Sequence, residues 1–432
     1  MEEVVVALGR ETWYSLKVEY ATREKGYTMN ILRRGYCRAF QTVFRIALPL
    51  LPYREPVPLE GLGAITPLLK EKKVSAVLLV TDRSVRGLGL TAPLEEDLKA
   101  AGISCAVYDG TVPNPTIQNV EEGRRLYLET GAGAIIAVGG GSVMDCAKGV
   151  GARIARPGKS VRKMRGLLKV LLPTPLTIAV PTTAGTGSET TLAAVITDPE
   201  RHHKYPINDF SLIPDYAVLD PTITVGLPPF ITATTGMDAL THAVEAYIGR
   251  STTKLTRRMA EEAAAAIVKY LPRAWADGAD LEARKGMLRA AYCAGVAFTR
   301  SYVGYVHGVA HSLGGRYGVA HGLANAVILP YFLEEYGASC EKRLGRLAKA
   351  AGLAAQGESD AAAAKKFITW IKETNRAMGI PETIPEIRAQ DIPQMARHAD
   401  QESNPLYPVP RLMDRAELEE MYRRLMPKEE TA

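Results

Sequence analysis

The sequence predicts an α/β domain with a mostly parallel sheet, followed by an all-α domain. Two observations carry this. Between about Leu48 and Asp220, short apolar runs alternate with helical stretches; from about Gly226 onward the strand signals vanish. A length of 432 residues supports more than one core.

The first forty or so residues stand apart. They carry Arg33, Arg34 and Arg38 among the aromatics Trp13, Tyr14, Tyr20, Tyr27, Tyr36 and Phe40. We read residues 1–45 as an N-terminal extension, an arm packing on the body or on a neighbouring subunit. Its opening, MEEVVVALGRE, places two acids before a short apolar run, unlike a secretory signal, so a cytoplasmic protein is expected. No apolar stretch is long enough to span a bilayer, so no membrane is expected.

The next segment, 46–224, contains the runs VSAVLLVTD (74–82), ISCAVYDG (103–110), AIIAVGGG (134–141), LTIAVPTT (176–183), AAVITD (193–198) and YAVLD (216–220). Near-continuous apolar strands separated by helices indicate a buried parallel sheet, the natural frame of a nucleotide-binding domain. VGGGSVMDCAKG (138–149) follows one strand and opens a helix. Its glycines let a diphosphate approach backbone amides and the helix N-terminus. It is not GxGxxG, since Met144 stands at the last glycine position, and a tight turn explains it as well. PTTAGTGSE (181–189) follows the next strand with the hydroxyls of Thr182, Thr183, Thr186 and Ser188. Two such loops would face each other at the carboxyl edge, where α/β sheets bind ligands. Asp82 ends a strand and suits either a ribose diol or a helix N-cap.

The last segment, 225–432, is rich in Ala, Leu, Arg and Glu, as in MAEEAAAAIVKYL (259–271), and reads as amphipathic helices. The boundary falls near DPTITVGLPP (220–229). Four of the seven histidines lie here within eighty residues. Asp238 and His242 are four apart, as are His307 and His311, so each pair shares a helix face; His321 follows in VAHGLANA (319–326). Singly, each histidine reads as a hydrogen-bonded core residue. Together they make this an all-α metal-binding domain for a first-row divalent ion, Fe(II) or Zn(II).

Five scattered cysteines without a CxxC pair argue against zinc ribbons and disulfide frameworks. The net charge of +6 is spread among acids, so no nucleic-acid partner is expected. The one basic run, Lys159, Arg162, Lys163, Arg165 and Lys169, is either a solvated loop or a phosphate- or partner-facing patch.

Together VTDRS, VPNPT (112–116), AVGGGSVMDCAKG, PTTAGTGSET, GMDALTHAVEAY and HGVAHSLGG…AHGLANA resemble the iron-containing alcohol dehydrogenase family. The likeness spans about residues 48 to 425. It implies an NAD(P)-linked alcohol dehydrogenase or aldehyde reductase with Asp238, His242, His307 and His321 as metal ligands, Fe(II) first and Zn(II) as the alternative. It implies that His311 stands near the nicotinamide and substrate. Gly140, Gly141, Ser142 and Asp145 would line the diphosphate; Thr182, Thr183, Thr186 and Ser188 would surround the ribose and nicotinamide side. Asp82 and Asn114 would meet the adenosine end, and Lys204 would reach the cofactor. Family members with glycine at the place of Asp82 tend to use NADP, so Asp82 points to NAD; the neighbouring Arg83 and Arg86 keep NADP as the alternative. A small alcohol or aldehyde substrate and a homo-oligomer, with a dimer the family expectation, complete the reading. Three rivals are a glycerol- or polyol-type dehydrogenase of the same fold, a dehydroquinate-synthase-like cyclase, and a non-catalytic relative. The extension and the basic stretch 156–175 depart from the family pattern, so substrate specificity does not carry over.

Overall fold

A computed structural model describes residues 29–201 and 203–427. Trp13, Tyr14, Tyr20 and Tyr27 of the extension lie outside the described residues. The described part of the extension begins a helix, Ile31–Ala47, started by Asn30, whose side chain accepts from the Leu32 N–H.

Six strands form the principal sheet: β1 (Val57–Leu59), β2 (Ala76–Val80), β3 (Ser104–Tyr108), β4 (Ala134–Gly139), β6 (Leu176–Pro181) and β9 (Tyr216–Val218). Their order is β1-β9-β6-β4-β2-β3 and every pairing is parallel. Residues of β4 are buried throughout, as a parallel strand covered on both faces requires. Alternation divides the core: Val77, Leu79 and Ile136 pack on one face, and Leu78, Val80 and Ile135 on the other. After β3 the chain returns to the opposite side of β2 to lay down β4. That reversal opens a crevice beyond the carboxyl ends of β2 and β4.

The run 193–198 does not join this sheet, contrary to its reading above. As β7 (Ala193–Asp198) it pairs antiparallel with β8 (His203–Asn208), and the short β5 (Gly166–Leu167) completes a separate three-stranded sheet. The β7–β8 connection is only a few residues long. It can close a hairpin but not the crossover that a parallel neighbour needs. The basic run folds against this small sheet. Arg162 holds Asp198 with two bonds of 2.6 and 2.9 Å, and Lys159 Nζ donates to the Lys169 carbonyl at 2.7 Å. These two cations are therefore spent on scaffolding.

Beyond β9 the described residues contain helices only, gathered round one large apolar core. No helix among them is long and apolar enough to cross a membrane. All five cysteines are free thiols.

Candidate metal centre and nucleotide cleft

The helix Pro229–Ile248 starts with proline, whose missing N–H costs nothing at a helix N-terminus. Asp238 and His242 emerge from its buried stretch, one turn apart. His307 lies in the first turn of Tyr305–Tyr317, and His321 opens His321–Tyr336. One ligand atom from each of Asp238, His242, His307 and His321 lies within 4.8 Å of the others. His242 stacks on Phe298 with ring centroids 4.1 Å apart, which fixes its plane.

Whether these residues fit a cation can be judged from their lone pairs. Asn325 Nδ2 lies 2.6 Å from Asp238 Oδ1, 3.2 Å from His307 Nε2 and 3.1 Å from His321 Nε2. An amide carries two protons, yet three acceptors converge on it. Electron pairs aimed at one point from a carboxylate and imidazoles are what a divalent ion requires. Burial, followed by the neighbouring imidazoles, drives the His307 pKa well below its usual value. Burial also lowers His242, and brings His321 to about 4. The rings are therefore neutral near pH 7, the form that ligates.

Outside the four stands a carboxylate that the sequence reading missed. Glu245 Oε2 lies 2.6 Å from His307 Nδ1 and accepts from the Gly304 N–H at 2.8 Å; Oε1 accepts from Val306 N–H at 2.9 Å. Glu245 thus caps the N-terminus of the helix bearing His307 and fixes that ring. Both Glu245 and Asn325 had a signal. Glu245 is seven residues after Asp238, and Asn325 four after His321, each on its ligand's helix face.

His311 is half-exposed at the cleft, its ring stacked on His321 at 5.2 Å between centroids. Its Nδ1 lies 2.5 Å from Glu402 Oε1, which also accepts from the Tyr407 hydroxyl at 2.7 Å. Glu402 and Tyr407 were not anticipated, since no local spacing links them to His311.

Both glycine loops end adjacent strands at the crevice. Gly140 precedes the helix Gly141–Ala155 without a side-chain cap, so the first N–H groups of that helix remain open to a ligand. A Cβ on Gly141 would come within 3.3 Å of Thr186, so the two loops face each other closely. Thr183 and Thr186 are partly exposed, whereas Thr182 and Ser188 are buried. The second loop is wedged against the helices. Gly187 takes φ +61°, and a Cβ there would lie 2.8 Å from Gly295 Cα.

Asp145 and Ser188 serve this wedge. Asp145 accepts from the Ser188 hydroxyl and the Val195 N–H, both at 3.1 Å. Lys148, also unanticipated, donates to the Ser188 carbonyl at 2.6 Å and to Thr191 Oγ1 at 2.7 Å. Across the mouth, Lys204 Nζ donates to Asn114 Oδ1 at 2.6 Å, and the Asn114 N–H meets Ser142 Oγ at 3.3 Å. Asp82 Oδ1 accepts from the Val85 N–H at 2.9 Å, so the N-cap role is real. Its Oδ2 makes no hydrogen bond among the described residues. Arg86 is turned to Asp109 at 2.7 Å.

Two family profiles match: "Iron-containing alcohol dehydrogenase" over residues 60–221 and "Fe-containing alcohol dehydrogenase family, C-terminal" over 232–426. An NAD-dependent methanol dehydrogenase of Bacillus methanolicus is 36% identical over 349 residues, covering 80% of this chain and 91% of its own. The chain belongs to the iron-containing alcohol dehydrogenase family. A 1,3-propanediol dehydrogenase of Klebsiella pneumoniae is 36% identical across 84% of this chain and 94% of its own. Among solved structures, a 1,3-propanediol oxidoreductase superposes with TM-score 0.83 at 35% identity, covering 87% of this chain and 99% of that one. An alcohol dehydrogenase from Oenococcus oeni superposes with TM-score 0.81 at 34% identity, covering 86% and 100%.

Proposed function

We propose that this member of the family is a metal-dependent, NAD-linked alcohol dehydrogenase, working reversibly as an aldehyde reductase, with Asp238, His242, His307 and His321 holding one divalent ion. The observation that carries this reading is the convergence of those four ligand atoms beside a crevice walled by two glycine loops. A bound ion supplies a Lewis acid for the alcohol or aldehyde oxygen, and the nicotinamide accepts or gives the hydride. Fe(II) is the first choice and Zn(II) the second, since the same ligands serve both.

The chain's own residues do the rest. Phe298, Asn325 and Glu245 hold the ligand rings and carboxylate in one orientation. His311 is held by Glu402 through Nδ1, which leaves Nε2 to take the proton of the substrate hydroxyl and pass it to solvent. Gly140, Gly141 and Ser142 would receive the diphosphate at the helix N-terminus. Thr183 and Thr186 would flank the ribose and nicotinamide side. Asp145, Thr182 and Ser188 would hold that loop in shape. Lys204 and Asn114 would close over the cofactor, and Asp82 Oδ2 would accept from the adenosine ribose, favouring NAD over NADP. The side chains hydrogen-bonded to the metal ligands and to His311 are Glu245, Asn325 and Glu402, not the cationic phosphate site that the cyclase reading needs.

We further read residues 1–45 as an extension, 46–224 as the nucleotide domain and 225–432 as the metal and substrate domain of a cytoplasmic homo-oligomer. The test is NADH consumption by protein reconstituted anaerobically with Fe(II) or Zn(II), against short, branched and aromatic aldehydes, with metal content measured in parallel. Turnover should appear with metal, and His242→Ala should lose both metal and turnover while still binding NADH. Full activity of His242→Ala in chelator would sink the metal assignment.

A further inference from the structure

The helix Ile31–Ala47 precedes the residues matched to the family, which begin at 60. Leu32, Val43 and Ile46 on it are exposed, so apolar burial alone does not seat it. Its polar side chains reach the body instead. Arg33 grips Asp400 with two bonds of 2.8 Å. Arg38 donates to the Val409 and Pro410 carbonyls at 2.8 and 3.0 Å. Gln41 is buried; it donates to the Tyr407 carbonyl at 2.8 Å and to the Pro405 carbonyl at 3.2 Å, and its Oε1 accepts from Arg38 at 2.8 Å.

These partners lie in one stretch, the end of the helix Ile392–Ser403 and the irregular 404–414 that follows it. That stretch is poorly equipped to hold itself. Pro405, Pro408 and Pro410 bring no N–H, and the segment joins no ladder, so its carbonyls depend on donors from elsewhere. The Tyr305 hydroxyl pins its two ends, through Asn404 Oδ1 and the Met413 N–H, each at 2.9 Å. Between them, among the described residues, the donors that reach the 405–410 carbonyls from outside the stretch are the Arg250 N–H, at 2.6 Å from the Pro408 carbonyl, and the side chains of Arg38 and Gln41. Glu402 and Tyr407 belong to the same stretch, and they hold His311. Glu402 Oε1 lies 2.5 Å from His311 Nδ1 and accepts from the Tyr407 hydroxyl at 2.7 Å. Tyr407 is thus held at both ends, its backbone carbonyl by Gln41 and its hydroxyl by Glu402.

We propose that Gln41 and Arg38 are positioning residues for the reaction. The helix Ile31–Ala47 is a strap across 405–410 that sets Tyr407 and Glu402, and through them the ring of His311. This rests on the reading of His311 as the group that takes the substrate proton. Such a ring tolerates little displacement, since a misplacement of about 1 Å can cost roughly 100-fold in rate. The path is continuous and polar: Gln41 to the Tyr407 backbone, the Tyr407 hydroxyl to Glu402, and Glu402 to His311.

The test is a double-mutant cycle in the metal-loaded, full-length enzyme that pairs Gln41→Leu with Glu402→Gln. Leucine removes both donors with little change of bulk. Gln41→Leu should lower kcat for aldehyde reduction about 10-fold or more, while NADH affinity and metal content stay at wild-type values. In the Glu402→Gln background the same substitution should change kcat little, because the group it positions is already impaired. Equal losses in both backgrounds would overturn the proposal and leave the helix as a support of the fold. Full kcat in Gln41→Leu would overturn it as well. Undiminished turnover in Glu402→Gln would instead remove the proton role of His311, and this inference with it. Should Gln41→Leu not melt cooperatively, Arg33→Gln takes its place in the cycle and the same outcomes decide. Arg33 is partly exposed, and without it Asp400 still accepts from Asn404 Nδ2 at 2.8 Å.

Discussion

Replacing Glu245 with glutamine separates its two tasks. The amide can be placed in two ways. With its carbonyl in the position of Oε2, it still accepts from Gly304 N–H and His307 Nδ1–H, but its NH2 then faces the Val306 N–H. Reversed, it sets a donor against the Gly304 N–H and forces His307 to move its proton to Nε2, the nitrogen that points at Asp238 and His321. The first placement misplaces one buried donor and the second at least two, so the first wins. Leaving one buried N–H unpaired costs about 1–3 kcal/mol. Burial pushes the Glu245 carboxyl up to about 8, so above that pH the surviving bond to His307 also loses the charge assistance of a carboxylate, which roughly halves it. Loss of such an outer partner weakens metal binding by about 10- to 100-fold; since the ring keeps its tautomer, the lower end is expected. Thermal unfolding of the metal-free protein reads the first effect, and calorimetric titration of metal-free protein with Zn(II) reads the second. A lowered melting temperature with unchanged metal affinity would refute the reasoning, leaving Glu245 as a cap for the 304–306 turn with no influence on the centre.

Gly295→Ala would put a Cβ 2.1 Å from Thr190 Oγ1 and 2.9 Å from the Gly187 carbonyl, against the nucleotide loop. It should cost about 1–3 kcal/mol and weaken NADH binding, read by melting and by fluorescence titration; tight NADH binding with an unchanged melting temperature would remove the wedge from the account. Asp82→Gly keeps most of the N-cap, since glycine there costs only a few tenths of a kcal/mol, about 0.3. The ratio of kcat/KM with NADH to that with NADPH should therefore fall without loss of stability, and an unaltered ratio would count against the ribose role. Hydrogen bonding from Arg162 holds the Asp198 carboxyl below its ordinary pKa. A depressed carboxylate stabilises the fold above its unfolded pKa and loses that contribution as the pH falls through the folded value. Arg162→Gln should thus melt lower than the wild type at pH 7, with the gap narrowing below about pH 4; a gap constant from pH 7 to pH 3 would contradict the pairing.

What the sequence disclosed follows from the range over which its signals act. Asp238 and His242 are one helical turn apart, so their shared face is written in their spacing. The glycine loops are legible because each follows a strand that is apolar along nearly its whole length. Glu402 is 91 residues from His311, and no periodicity reaches that far. The second sheet escaped for a local reason: β8 contains Pro206 and alternates in burial, so it never presents the continuous apolar run that marked the other strands. The helix 31–47 exposes a deeper limit. Hydrophobic spacing identifies which residues share a side, but inward direction is an assumption added to it, one that usually holds because apolar area is most often buried within the same chain. Here Arg33, Arg38 and Gln41 find partners in the 400–410 segment that carries Glu402 and Tyr407. Those polar contacts fix the orientation, and the apolar stripe is left to the outside. A pattern read from sequence is therefore a statement about faces, and only the contacts made by the polar side say which way each face turns.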